Sequence, residues 1–157
     1  MKVLFVCSGN ICRSPMAAEY LRHRAARSRL SHVVVDSAGV LGIEGSPASE
    51  GAIMVMKEDG LDLSRHRSKG IDRAGIRTSD VVVAMSFDHL DALAERFPDG
   101  SQRRFLIRAF EGGPTPISGA PELQDPLGTD LETYRIRYKC IKTCVDHLVL
   151  YLRHETA

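Results

Sequence analysis

A single three-layer α/β domain over residues 1–157, with a four-stranded parallel sheet covered by helices on both faces, is the fold class this sequence predicts. Three observations carry that expectation. Short, β-branched apolar runs recur along the chain, and stretches of helical character separate them. No internal repeat, low-complexity tract or linker divides the 157 residues, a length that suits one domain with a substantial core.

The first run, Val3-Leu4-Phe5-Val6, is apolar throughout, as in a parallel strand buried on both faces. Lys2 before it gives the order of a secretory leader. Four apolar residues nevertheless fall short of the roughly 7–15 of such a segment, so a buried strand is expected. The run ends in the turn-forming Cys7-Ser8-Gly9-Asn10. Ser14-Pro15 then supplies a capping residue and a first-turn proline for a helix through Met16, Ala17, Ala18, Glu19, Tyr20 and Leu21. Val33-Val34-Val35 predicts the second strand, closing at Asp36-Ser37-Ala38-Gly39. A second helix is expected from Pro47 to Asp59, with Gly60 as its stop. Val81 to Met85 reads as the third strand, and Ser86 as the cap of a helix through Leu90, Leu93 and Ala94. Phe105-Leu106-Ile107 predicts the fourth strand. Gly112 to Gly128 is rich in Gly and Pro and reads as a long loop, a feature often tied to function in a compact domain. The chain closes with an amphipathic helix whose stripe is Leu131, Tyr134, Tyr138, Ile141, Val145, Leu148 and Leu152.

Composition narrows the function classes. The hydrophobic fraction of 43% and charged fraction of 26% are those of a soluble globular protein. Lys and Arg total 21 against 20 Asp and Glu, a net charge of +1 that offers nothing to a nucleic-acid polyanion or an anionic membrane. No apolar run approaches the roughly 20 residues of a membrane span. Four cysteines (Cys7, Cys12, Cys140, Cys144) without an export signal point to a reducing cytoplasm rather than a disulfide framework. Cys140 and Cys144 stand at i, i+4. That spacing makes half a metal site, but no second Cys or His pair accompanies it, so helix packing is expected, with no metal and no cofactor.

The chemistry concentrates in Cys7-Ser8-Gly9-Asn10-Ile11-Cys12-Arg13-Ser14, between a buried strand and a helix start. Ligands of open α/β sheets bind at the carboxyl ends of strands. A loop entering a helix presents unpaired N–H groups and the positive end of the dipole, which suits phosphate. Arg13 adds a planar fork that holds two oxygens at once. The same field favours a thiolate, so Cys7 sits where a sulfur could attack a captured phosphorus. A Walker-type reading fails for want of Gly-Lys-Ser/Thr, and a thioredoxin-like one because four residues separate Cys7 from Cys12. The structural alternative for Cys7 alone is a buried, inert cysteine.

Cys7 through Pro15 resembles the signature of the low-molecular-weight protein-tyrosine phosphatases: Cys, five residues, Arg, then Ser/Thr-Pro, with Gly-Asn inside and frequently a second cysteine before the Arg. The similarity extends through Asp36-Ser37-Ala38-Gly39, Leu63-Ser64-Arg65-His66-Arg67-Ser68 and Asp125-Pro126. It implies that Cys7 attacks in line to form a cysteinyl-phosphate. Arg13 and the phosphate-binding loop (Ser8, Gly9, Asn10, Ile11, Cys12 and Ser14) would hold the equatorial oxygens. Asp125 would be the general acid, its backbone restricted by Pro126. Asn10, Ser14, Ser37 and His66 would form a supporting hydrogen-bond network. Three of them have plainer readings: Ser14 as an N-cap, Ser37 as a turn residue, His66 as a half-exposed polar group. Cys12 is either a redox partner of Cys7 or a packing residue.

The substrate clues diverge. Tyrosine-specific members carry aromatic residues after Asp-Pro, where this chain has Leu127 and Gly128 in the substrate pocket. Leu131-Glu132-Thr133-Tyr134 resembles a bacterial branch that removes phosphate from arginine. That branch typically has threonine at the position of Ile11, and Ile11 is the tyrosine-type residue. The expectation is a phosphotyrosine phosphatase acting on phosphorylated proteins as a monomer or weak dimer, with phosphoarginine as the alternative. Arsenate reductase, on the same fold, needs relay cysteines that residues 86–124 lack. A catalytically dead phosphate reader is disfavoured by the joint presence of Cys7, Arg13 and Asp125.

Overall fold

Strands β1 (Lys2–Cys7), β2 (Val34–Gly39), β3 (Val81–Ala84) and β4 (Arg103–Leu106) form one parallel sheet in the order β2-β1-β3-β4, in a computed structural model that describes residues 1–157. The helices are α1 (Arg13–Ala26), α2 (Glu50–Glu58), α3 (Arg73–Arg77), α4 (Phe87–Arg96) and α5 (Leu131–Glu155). Strand side chains alternate between faces, and here both faces are covered. Val3, Phe5, Val81 and Val83 join the large core under α1, α2 and α5. Leu4, Val6 and Val82 pack with Ile76 of α3 and Leu93 of α4 on the other side. This two-sided burial is why β1 is apolar at every central position. No helix is long and apolar enough to cross a membrane.

The expected stripe of α5 is buried from Tyr134 to Leu152, and Cys144 joins it with no exposure while Cys140 stays half-buried. Several boundaries differ from expectation. β2 does not close at Asp36 but runs on to Gly39, because its register against β1 continues to the pair Cys7↔Gly39. Val33 precedes the strand, its N–H donating to the Leu30 carbonyl in a turn. α2 starts at Glu50, capped by Ser49, whose Oγ accepts from the Ala52 amide. Pro47 instead lies in a bridge to Arg67. Gly60, at φ +74°, takes the left-handed conformation beyond α2 that glycine tolerates best. Ile107 lies outside β4 and opens a 3-10 turn, Ile107–Phe110. The short α3 had no sequence counterpart.

Two features of the fold position the loop after β1. The backbone of Gly39 presses directly against it: a Cβ there would stand 2.6 Å from the Ser8 carbonyl oxygen and 2.9 Å from the Asn10 nitrogen. Both contacts are backbone, so neither yields by a rotamer change. Gly39→Ala is therefore expected to cost about 1–3 kcal/mol of stability through overpacking and to lower turnover at least tenfold. Denaturant unfolding and kinetics on the same preparation check this, and a variant unchanged in both would contradict the close approach. Separately, the Leu123 amide donates to the Met85 carbonyl at 2.9 Å, pinning the long loop beside the end of β3.

Candidate active site

The loop closes around the sulfur of Cys7, which is 2% exposed. Its Sγ lies 3.3 Å from the Asn10 amide nitrogen, which donates to it, and 2.9 Å from Ser14 Oγ. Asn10 Nδ2 donates to Ser14 Oγ at 2.9 Å, which leaves the serine proton free to face the sulfur. Ser14 thus lies inside the first turn of α1, and Cys12 occupies the cap position with no side-chain capping bond. The N-cap reading of Ser14 is replaced by a bond to Cys7.

Asn10 is fully buried, with φ +57°, a left-handed conformation that asparagine tolerates better than most residues. Every polar group of its side chain is matched. Nδ2 donates to Ser37 Oγ as well as to Ser14, and Oδ1 accepts from the Lys69 amide at 3.0 Å. Its carbonyl accepts from His66 Nε2 at 2.7 Å, which places the His66 proton on that nitrogen. Burial pushes the His66 pKa below its ordinary value, and the bond to Asn10 opposes the shift only in part. The four polar residues Asn10, Ser14, Ser37 and His66 therefore meet in one network, drawn from β1–α1, β2 and the 64–69 segment.

Arg13 is 4% exposed. Its Nη1 donates to the Leu123 carbonyl at 2.8 Å, while Nη2 lies 3.4 Å from Ser8 Oγ and 3.5 Å from Asp125 Oδ2. Its Nε is buried without a partner. Asp125 hangs over the loop with its side chain 41% exposed, and its Oδ1 accepts from the Leu127 amide at 3.0 Å. That Asx turn, followed by Pro126, aims the other oxygen toward Arg13.

Cys12 Sγ donates to Ser49 Oγ at 3.2 Å and lies 3.4 Å from the Tyr134 hydroxyl, which itself donates to Ser49 at 3.0 Å. Burial pushes the Cys12 thiol up. All four cysteines are free. At the mouth, Gly9 faces Ile43 and the half-buried Ile11. Leu127 is 54% exposed and borders a shallow depression with Glu50, Met54 and Tyr134.

Nothing in the sequence marked Leu123, Ser49 or His89 as site residues, and Tyr134 stood out only on the apolar stripe of α5 and in the Leu131–Tyr134 segment. His89, on α4, is 2% exposed and lies 2.9 Å from Ser8 Oγ through Nε2. Its one sequence signal is the spacing from Ser86: a polar side chain three residues past an N-cap reaches back to the cap amide, and Ser86 N–H donates to His89 Nδ1 at 3.1 Å. Burial, reinforced by the Arg13 charge, holds the His89 pKa down to about 4. The folded state therefore resists protonation that the unfolded chain accepts near 6.5. Stability is whole above pH 6.5 and falls as the pH drops toward 4, and His89 accounts for about 1–2 kcal/mol of the loss between pH 6.5 and 5. Melting curves of wild type and His89→Gln across that window should converge toward acid, and parallel curves would contradict this.

The class these features define is that of α/β proteins with a loop centred on a buried cysteine between the first strand and the first helix. A sequence profile described as "Low molecular weight phosphotyrosine protein phosphatase" matches residues 2–157. The chain is 39% identical to a protein-arginine-phosphatase of Geobacillus stearothermophilus, over 98% of this chain and 97% of that one. It is 30% identical to the low molecular weight protein-tyrosine-phosphatase Ptp of Acinetobacter johnsonii, over 91% and 92% of the two chains. The solved low molecular weight protein tyrosine phosphatase of T. tengcongensis superposes with a TM-score of 0.86 at 34% identity, covering 96% of this chain and 98% of that one. This chain belongs to the low molecular weight phosphotyrosine protein phosphatase family, and it is a phosphatase.

Proposed function

We propose that the protein is a protein-arginine phosphatase working through a phosphorylated Cys7. The observation that carries the substrate choice is the mouth of the site. A phenol ring gains from an aromatic wall to stack on, and an aliphatic wall forgoes that gain. Here the residue after Asp125-Pro126 is the exposed Leu127, and the aromatic residue of the adjoining depression, Tyr134, is 4% exposed with its hydroxyl tied to Ser49 and Cys12. A guanidinium leaving group instead is flat and polar and needs no ring to stack on; its nitrogens can hydrogen-bond to the Asp125 carboxyl at the mouth. The 39% identity to a named arginine phosphatase supports the same choice.

In this reading the phosphoryl oxygens take the loop amides and the Arg13 guanidinium. The Cys7 sulfur attacks phosphorus, the phosphorus–nitrogen bond breaks, and Asp125 gives its proton to the departing nitrogen. Water then attacks the cysteinyl-phosphate, losing its proton to Asp125; the sulfur–phosphorus bond breaks, releasing phosphate and returning Cys7 as its thiolate. Asp125→Asn is expected to lower turnover of a phosphorylated peptide roughly a hundredfold but that of an activated aryl phosphate only severalfold, since a good leaving group needs no proton. Equal losses on both would remove the acid role.

A phosphotyrosine reading is favoured by Ile11 and by the two tyrosine-phosphatase relatives. Purified protein assayed on matched phosphoarginine, phosphotyrosine and phosphoserine peptides, with Cys7→Ser as control, decides between them. The expected order is arginine above tyrosine, with no activity on serine. A higher kcat/KM on phosphotyrosine would reverse the assignment.

A further inference from the structure

The bonds around Ser8 assign a role to a histidine 81 positions away in the sequence. His89 Nδ1 receives the Ser86 amide proton at the start of α4, so that nitrogen must present its lone pair. Burial and the neighbouring Arg13 charge keep the imidazole neutral well below pH 6. A neutral ring whose Nδ1 is an acceptor carries its only proton on Nε2, and Nε2 lies 2.9 Å from Ser8 Oγ. Ser8 Oγ therefore accepts from His89. It also accepts from Arg13 Nη2 at 3.4 Å. A hydroxyl has two lone pairs and one proton, and here both lone pairs are in use. The proton is the one free resource of Ser8, and it belongs to an oxygen that sits in the loop beside the arginine nitrogen facing Asp125.

We propose that His89 is a positioning residue that makes Ser8 an obligatory hydrogen-bond donor to the bound phosphoryl group and, through the shared Ser8 oxygen, helps hold the Arg13 fork. The proposal rests on the reading of the loop as a phosphate site. It explains why a histidine, and not the glutamate usual at such helix positions, stands there. A carboxylate would accept the Ser86 amide equally well but would also draw the Ser8 proton toward itself, away from the substrate. The effect passes along a relay: the α4 amide sets the tautomer, the tautomer sets the direction of the hydroxyl, and the hydroxyl adds one donor to those gathering the charge that develops on the phosphoryl oxygens.

A double-mutant cycle on kcat, measured with one phosphopeptide, tests the relay. His89→Leu removes the donor and is expected to lower kcat roughly tenfold to a hundredfold, and Ser8→Ala by a similar factor. In the Ser8→Ala background His89→Leu should add less than about a twofold loss, because the two residues act as one unit. His89→Gln places an amide N–H near the position of Nε2 and should restore kcat to within about threefold of wild type. Losses that multiply in the double variant, or a glutamine variant as poor as leucine, overturn the proposal while leaving the phosphatase reading intact. A wild-type protein inactive on every phosphopeptide overturns both. Nitrogen NMR of the wild-type imidazole at pH 7 needs no variant to fold. The proton on Nε2 is the expected result, and a proton on Nδ1, or on both nitrogens, ends the proposal.

Discussion

Replacing Cys7 by serine is expected to lower turnover by at least about four orders of magnitude while the protein stays folded. The substitution exchanges one small group for another at a site only 2% exposed, and both donors facing it, the Asn10 amide and Ser14 hydroxyl, can bond to oxygen as well as to sulfur. Packing is therefore little disturbed. What is lost is the nucleophile. Sulfur is intrinsically a far better nucleophile toward phosphorus than the neutral hydroxyl of serine. Steady-state kinetics beside a thermal melt separate the two effects. A folded serine variant keeping more than roughly a hundredth of wild-type kcat would mean that the attacking group lies elsewhere.

The second large effect is expected at Arg13. Lysine keeps the charge but offers a single ammonium where the guanidinium offers a fork. The fork here is already divided: Nη1 supports the Leu123 carbonyl, and Nη2 faces Ser8 and Asp125. Lysine cannot serve these directions together. Arg13→Lys should lower kcat/KM by roughly a hundredfold to ten-thousandfold and weaken inorganic phosphate binding in parallel. The freed Leu123 carbonyl adds a stability cost of about 1–3 kcal/mol. If kcat/KM fell less than about tenfold, the arginine would be a scaffold for the long loop rather than a phosphate clamp.

The core of the site was legible because it is contiguous. Cys7 to Ser14 spans one strand end, one turn and one helix start, and local rules govern all three. Asp125 was reachable only by resemblance, since Asp-Pro occurs in many turns. What lifts it here is the Leu123–Met85 backbone bond and the Asx turn to Leu127, and no local pattern encodes either. The links from Cys12 to Ser49 and Tyr134, and from Ser8 to His89, join residues 37, 122 and 81 positions apart, so they exist only once α2, α5 and α4 have packed. The misplaced boundaries have the same origin. β2 continues past Asp36 because β1 offers it partners, and Pro47 leaves α2 because Arg67 pairs with it. Ser49 before Glu50 was a readable cap signal, overshadowed by the proline two residues earlier.

In the proposed mechanism Cys7 carries the phosphoryl group between substrate and water. Rapid acid quenching of the enzyme during turnover, followed by peptide mapping, reads this directly. Phosphate bound to the sulfur of Cys7, present in wild type and Asp125→Asn and missing in Cys7→Ser, is the predicted result. An active enzyme whose phosphate appears on a histidine, or whose Cys7 peptide stays unmodified at every quench time, would contradict it.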